Sequence, residues 1–104
     1  MDRGEVWWAD LPQPVGRRPI LILTRSSAVA KRNQVVAAQI TRTVHHLASE
    51  VALSQAEGMP RECVVNCDVL LTVPKARLVR RLTQLSSAKM DEVHQAIRFA
   101  LDIP

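Results

Sequence analysis

Residues 15–26 read VGRRPILILTRS: two arginines and a proline run into Ile20-Leu21-Ile22-Leu23, and Arg25 closes the run. Four consecutive apolar residues have no solvent face of their own, so the stretch predicts a buried core strand. Pro19 is expected at the strand start, where no ladder donor is required. Fixed positive charge at both ends of a buried strand then needs an explanation.

Working outward, Glu5-Val6-Trp7-Trp8-Ala9 is β-prone and ends at the breakers Pro12 and Pro14, which predicts a first strand and a loop closing at Gly16. Beyond the core strand, Ser26-Ser27-Ala28-Val29-Ala30-Lys31 predicts a short helical turn. Val35 to Thr41 is a third strand and Glu50 to Leu53 a fourth. The turn signal Gln55 to Pro60 separates these from Cys63-Val64-Val65-Asn66-Cys67, a fifth strand that continues through Leu70 to Val73 past a bulge at Cys67-Asp68. Pro74 opens one helical turn, and residues 79–85 are read as a further strand. Ser86-Ser87 supplies a hydroxyl N-cap for a terminal amphipathic helix, with Met90, Val93, Ile97, Ala100 and Leu101 at helical spacing and Met90 and Phe99 read as packing residues. The expected architecture is mainly β (α+β): five to seven short strands in a small barrel or curled sheet with a C-terminal amphipathic helix, forming a single domain over residues 1–104.

Composition narrows the class. The chain has 104 residues, 47% hydrophobic and 23% charged, in the ordinary globular range. No apolar run reaches the ~20 residues needed to span a bilayer. The start Met1-Asp2-Arg3-Gly4 does not open a signal peptide, so a soluble, cytoplasmic protein is expected. Cys63 and Cys67 lie roughly 13 Å apart if on one strand, beyond disulfide reach. They are expected to be buried free thiols, without zinc-ligand spacing to His45, His46 or His94.

The net charge is +4, and its distribution is uneven. From Leu11 to Ser49 there is no Asp or Glu, while Arg17, Arg18, Arg25, Lys31, Arg32 and Arg42 fall there with His45 and His46. Such a cationic zone points to phosphate as partner, and arginine suits bidentate phosphate contact. There is no P-loop, GxSxG, GxGxxG or HExxH signature, and the zone has no acid to hold a cation. The remaining polar set of Arg17, Arg18, Thr41, Arg42, Thr43, His45 and His46 suits RNA cleavage by the 2′-hydroxyl, which needs charge stabilisation at phosphate and two proton movements. His45 and His46, adjacent on an extended chain, face opposite sides and are not expected to act together.

The order Arg3-Gly4-Glu5-Val6-Trp7-Trp8-Ala9-Asp10-Leu11, then Arg18-Pro19-Ile20-Leu21-Ile22-Leu23, then Val35-Val36-Ala37-Ala38-Gln39-Ile40-Thr41 resembles the MazF/PemK toxins, in particular their mycobacterial and actinobacterial branch. The likeness continues through Cys63 to Asn66, Thr72-Val73, Arg77-Leu78 and Arg81 to Leu85. The resemblance implies an SH3-like barrel, a homodimer neutralised by a cognate antitoxin, and cofactor-free, metal-independent cutting of single-stranded messenger, ribosomal or transfer RNA at a short sequence. Its products would carry 2′,3′-cyclic phosphate and 5′-hydroxyl ends. The family's catalytic arginine and threonine fall on Arg18 and Thr41. Arg17, Arg25, Arg42, Thr43, His45, His46 and Asp68 are the expected RNA contacts. The loop Pro12 to Arg17 carries no acid, unlike many relatives, so the proton acceptor is unassigned among His45, His46 and water. Two alternatives remain at this point. One is a gyrase-binding toxin like the related CcdB family; the other is a non-catalytic RNA-binding module, which the scarcity of aromatics disfavours.

Overall fold

The computed structural model describes residues 1–104. Six strands form one antiparallel sheet: β1 Glu5–Asp10, β2 Arg17–Ile22, β3 Gln34–Thr41, β4 Glu50–Leu53, β5 Cys63–Pro74 and β6 Leu78–Gln84. Their order across the sheet is β4-β5-β3-β2-β1-β6. Two helices accompany them, α1 Ser26–Val29 and α2 Ser87–Ala100, with 3-10 turns at Gln55–Glu57 and Lys75–Arg77. The expected mainly β architecture, a curled sheet with a terminal helix, is the one observed.

The buried run of β2 explains how the sheet is packed. Ile20 and Ile22 belong to one apolar cluster with Ala9, Val29, Val35, Ala37 and Val73. Leu21 and Leu23 belong to the other, with Val6, Ile40, Val65, Met90 and Val93. Alternate side chains of a strand point to opposite faces, so a run without polar residues fills two cores at once. Helix α2 covers the larger core with Met90, Val93 and Ala96, and Ser86 caps it by accepting the Lys89 N–H at 3.1 Å.

Both ends of β2 and the packing of Phe99 differ from the sequence expectation. β2 starts at Arg17, not Pro19, because Arg17 and Arg18 pair with Asp10 and Ala9 of β1. Pro19 is tolerated inside the strand since the ladder to β3 begins only at Ile20, leaving its donor-less nitrogen without a ladder bond to make. The strand ends at Ile22, since the N–H groups of Leu23 and Thr24 both donate to the Val36 carbonyl and bend the chain. At the other end of the molecule, Phe99 does not pack: it is 63% exposed, and Leu101 is exposed beyond the helix end. Phe99 lies six residues past Val93, about 240° around the helix from it and off the stripe that meets the sheet.

β5 is continuous from Cys63 to Pro74 and carries the expected bulge. Its register against β3 jumps from Leu70 opposite Ala38 to Asn66 opposite Gln39, so Cys67, Asp68 and Val69 form the bulge. Cys63 and Cys67 are both buried and unbonded.

A latch joins the two ends of the sheet. After β4, Ser54 and Glu57 form a capping box: Glu57 Oε1 accepts the Ser54 N–H at 2.7 Å, and Ser54 Oγ accepts the Ala56 N–H at 3.2 Å. Thr83 on β6 then donates its hydroxyl to the Glu57 carbonyl at 2.9 Å. Gly58, at φ 91°, sits so close that a Cβ there would meet Thr83 Oγ1 at 2.5 Å. Only glycine meets both demands of this turn, the positive φ and the close approach.

Candidate functional site

The hairpin of β1 and β2 sets two neighbouring arginines on different tasks. Arg17 donates to Asp10 through Nε at 2.9 Å and Nη2 at 3.2 Å, a bidentate pair on the surface. The hydrogen bonds and charge of Arg17 hold the Asp10 carboxyl below its ordinary value. Asp10 lies one residue outside the acid-free zone of the sequence, and folding brings it onto that zone's first arginine. Arg18 forms no salt bridge, and its Nε is enclosed with no hydrogen-bond partner. An enclosed guanidinium N–H without an acceptor is costly to leave unmade, and an anionic ligand would satisfy it.

Thr41 stands across from Arg18. The β2–β3 register pairs Ile20 with Gln39, and the same register continued two residues further sets Arg18 opposite Thr41. Thr41 Oγ1 accepts the Thr43 N–H at 3.2 Å, which leaves its own O–H free to donate. Past Ile20 the strands part, and a groove of about 530 Å³ opens between them. It is lined by Arg17, Arg18 and Pro19 of β2, by Ile40, Thr41 and Arg42 at the end of β3, and by Met59, Pro60, Arg61 and Cys63 beside β5, with Trp8 and Val15 completing the wall. No carboxylate or imidazole lines it.

The structure thus gathers Arg17, Arg18, Thr41 and Arg42 around one space and puts the other sequence candidates elsewhere. Thr43 acts on the site only through its N–H to Thr41. His45 and His46 lie on the exposed 42–48 loop, outside the groove lining. Glu50 anchors that loop, accepting the His45 N–H at 3.0 Å and the Leu47 N–H at 3.3 Å. Asp68 accepts the hydroxyl of fully buried Ser49 at 2.5 Å and so ties the same loop to the β5 bulge. Arg25 lies past the opposite end of β2, beside a separate shallow groove that includes Arg32, Thr24 and Gln34.

Two groove residues were not singled out from the sequence. Arg61 sits outside the acid-free zone, next to Glu62, so a count of net charge along the chain conceals it. Its only signal is the preceding turn Gly58-Met59-Pro60. Trp8 is the second, next to Trp7 on β1. Both are half-buried, but the Trp7 indole N–H is engaged by Glu5 Oε1 at 2.8 Å, whereas Trp8 lines the groove.

Electrostatically the groove is cationic and lacks hard oxygen ligands. No cluster of three or more His, Cys, Asp or Glu side chains that could hold a metal ion occurs in the structure. Burial, followed by the charge of Glu57, raises the Cys63 thiol above its ordinary value, so at neutral pH it lines the groove as a neutral group. No helix is long and apolar enough to cross a membrane.

A curled antiparallel sheet with a C-terminal helix and an arginine-lined groove at one sheet end defines a small mainly β protein with a cationic cleft. The sequence pattern of the PemK-like, MazF-like toxins of type II toxin-antitoxin systems matches residues 2–101, and the chain belongs to that family. It is 41% identical over 99 residues to the probable endoribonuclease MazF2 of Mycobacterium tuberculosis, spanning 94% of this chain and 95% of that one. It is 38% identical over 101 residues to the probable endoribonuclease MazF5 of the same organism, spanning 96% and 92%. Among solved structures, the Mycobacterium tuberculosis toxin MazF-mt6 superposes with a TM-score of 0.89 at 33% identity, covering 96% of this chain and 98% of that one. A mycobacterial endoribonuclease in complex with its cognate antitoxin superposes with a TM-score of 0.88 at 27% identity, covering 100% and 97%.

Proposed function

We propose that this chain is the toxin of a toxin-antitoxin pair and cuts single-stranded RNA by metal-independent transesterification. The observation that carries the proposal is Arg18, whose enclosed Nε lacks a partner beside a threonine hydroxyl free to donate. In this reading the RNA 2′-oxygen attacks the adjacent phosphorus, a new 2′-O–P bond forms and the P–O5′ bond breaks. The products end in 2′,3′-cyclic phosphate and 5′-hydroxyl. Arg18 and Thr41 donate to the non-bridging oxygens, where negative charge builds in the transition state. The groove lacks an imidazole or carboxylate, so the 2′-hydroxyl proton passes to water and the leaving 5′-oxygen takes one from water. Arg42 and Trp8 serve the strand on either side as phosphate contact and stacking surface. The groove's want of hard oxygen ligands supports a reaction that needs no divalent cation.

The names of the relatives support the nuclease, and the complexed neighbour supports an antitoxin partner. We assign the antitoxin an acidic segment that occupies the cationic groove, and the toxin a homodimeric, cytoplasmic state. Incubation of the purified protein with a mixed RNA pool in EDTA, with mapping of both new ends, tests the proposal. Cutting with cyclic-phosphate ends, abolished in Arg18→Ala, is expected. A requirement for divalent metal, or cutting undiminished in Arg18→Ala, overturns it.

A further inference from the structure

The groove holds a cation that the Arg18–Thr41 pair does not require. Arg61 is exposed, lines the groove and forms no salt bridge, not even with its chain neighbour Glu62. The chain leading to it is firmly built. The Ser54–Glu57 capping box and the Thr83 hydroxyl hold the turn, the Met59 N–H donates to the Ser54 carbonyl at 3.2 Å, and the Met59 side chain is buried. Gln55 Nε2 reaches the Pro60 carbonyl at 3.5 Å, one residue before Arg61.

The strand order gives this arginine its meaning. β3 lies between β2 and β5, and Thr41 pairs with Val64 close to the start of β5. Arg18 on β2 and Arg61 in the turn that leads into β5 therefore lie on either side of Thr41. Two strand spacings alone separate their backbones by roughly 10 Å, and the parting of β2 from β3 and the three-residue step from Arg61 to Val64 widen this further. With Arg18 enclosed on one wall and Arg61 exposed on the other, each guanidinium suits a phosphate of its own.

We propose that Arg61 is a substrate-positioning residue that binds the RNA phosphate next to the scissile one, so that the strand crosses the groove over Thr41 with a guanidinium on each side. The inference rests on the nuclease reading for the place of Arg61 relative to the scissile phosphate, while phosphate binding by Arg61 is read without cleavage. Arg61 acts by fixing the register of the strand against Arg18, and it contributes to binding equally in the ground and transition states.

The test uses single-stranded RNA with every 2′-hydroxyl O-methylated, which cannot be cut. Its binding is followed by fluorescence anisotropy over a series of KCl concentrations for wild type, Arg61→Ala, Arg61→Lys and, as a control, Arg98→Ala on the exposed face of α2. Arg61→Ala is expected to weaken binding about tenfold and to lower the salt slope by about 0.7, the loss of one single-strand phosphate contact. Arg61→Lys restores most of the slope, and Arg98→Ala changes neither quantity. With cleavable RNA, Arg61→Ala raises KM while kcat stays within about twofold. Identical binding by Arg61→Ala and Arg98→Ala, or a fall in kcat at unchanged KM, overturns the proposal. Wild-type protein that binds but never cuts sinks the nuclease reading and leaves the Arg61 assignment standing on its binding arm; wild-type protein that does not bind sinks the assignment.

Discussion

Asp10 grips Arg17 with two hydrogen bonds, at 2.9 and 3.2 Å, one register step from the place where Ala9 faces Arg18. Adjacent arginines of one sequence motif are thereby made unequal: the first is spoken for by a carboxylate, and the second keeps its full hydrogen-bonding capacity.

That inequality predicts opposite mutational outcomes. Arg18→Ala should lower kcat by about 100-fold or more, the usual scale for removing a donor to a developing oxyanion. Arg18→Lys should recover little, since an ammonium cannot reproduce the planar fork. Arg17→Ala should cost less than about threefold in kcat. Single-turnover cleavage of one labelled RNA measures all three.

Thr41 separates hydroxyl from shape. Thr41→Ser keeps an O–H at the same place and should retain most activity, whereas the near-isosteric Thr41→Val should lose about 10- to 100-fold. Thr41→Val also leaves the Thr43 N–H without its acceptor, so the amide exchange rate of Thr43 should rise in this variant and not in Thr41→Ser.

The turn at Gly58 predicts a large loss of stability from one methyl group. Gly58→Ala places a Cβ against Thr83 Oγ1 in a left-handed backbone conformation, and urea unfolding should show a loss of about 2–4 kcal/mol. Thr83→Ala alone should cost about 1 kcal/mol, the net worth of one hydrogen bond. The double variant should be more stable than the sum of the two losses allows, because the clash and the lost bond share one partner.

Cys67 gives a prediction in pH. Burial, with the charge of Asp68, pushes its thiol up to about 11 from an ordinary value of 9.0. A raised value means that the folded state holds the proton more tightly than the unfolded chain. Its contribution to stability is complete below pH 9 and is lost as pH rises towards 11. Unfolding midpoints should fall across that window, and Cys67→Ala should flatten the fall. Iodoacetamide should label the folded protein slowly at pH 8 and the urea-unfolded chain quickly.

The fold was legible wherever a local pattern and a tertiary demand coincided. Ile20 to Leu23 announces a strand with no wet side, and the Ser86 cap with its apolar stripe announces α2. The boundaries of β2 were not legible, because Pro19 reads locally as a start signal while its place inside the strand depends on where the β3 ladder begins. Phe99 misled for a related reason: an aromatic residue near a helix end suggests packing, but its angle on the helix decides. At the candidate site, strand ends and charge runs gave the polar set that holds Arg18, Thr41 and Arg42, and the family resemblance singled out Arg18 and Thr41 within it. The pairing of Arg17 with Asp10, the engagement of Asp68 by Ser49 and the arrival of Arg61 all depend on contacts between segments distant from those strand ends or from each other. Net charge along a window cannot report them.

The double packing of β2 has a consequence for how this groove can change. Arg18 is fastened to a strand whose next residues are gripped from both faces, so its orientation is settled when the chain folds and little freedom is left to lose when substrate arrives. The 42–48 loop and the turn before β5 are anchored mainly by polar contacts and touch the cores only through a residue such as Met59. On the proposed nuclease reading, substitutions on these loops change how the flanking strand is held, through Arg42 and Arg61, while leaving Arg18 in place. Arg18 and the cations that would hold the flanking strand are thus mounted on parts of unequal stiffness, and the second can drift without disturbing the first.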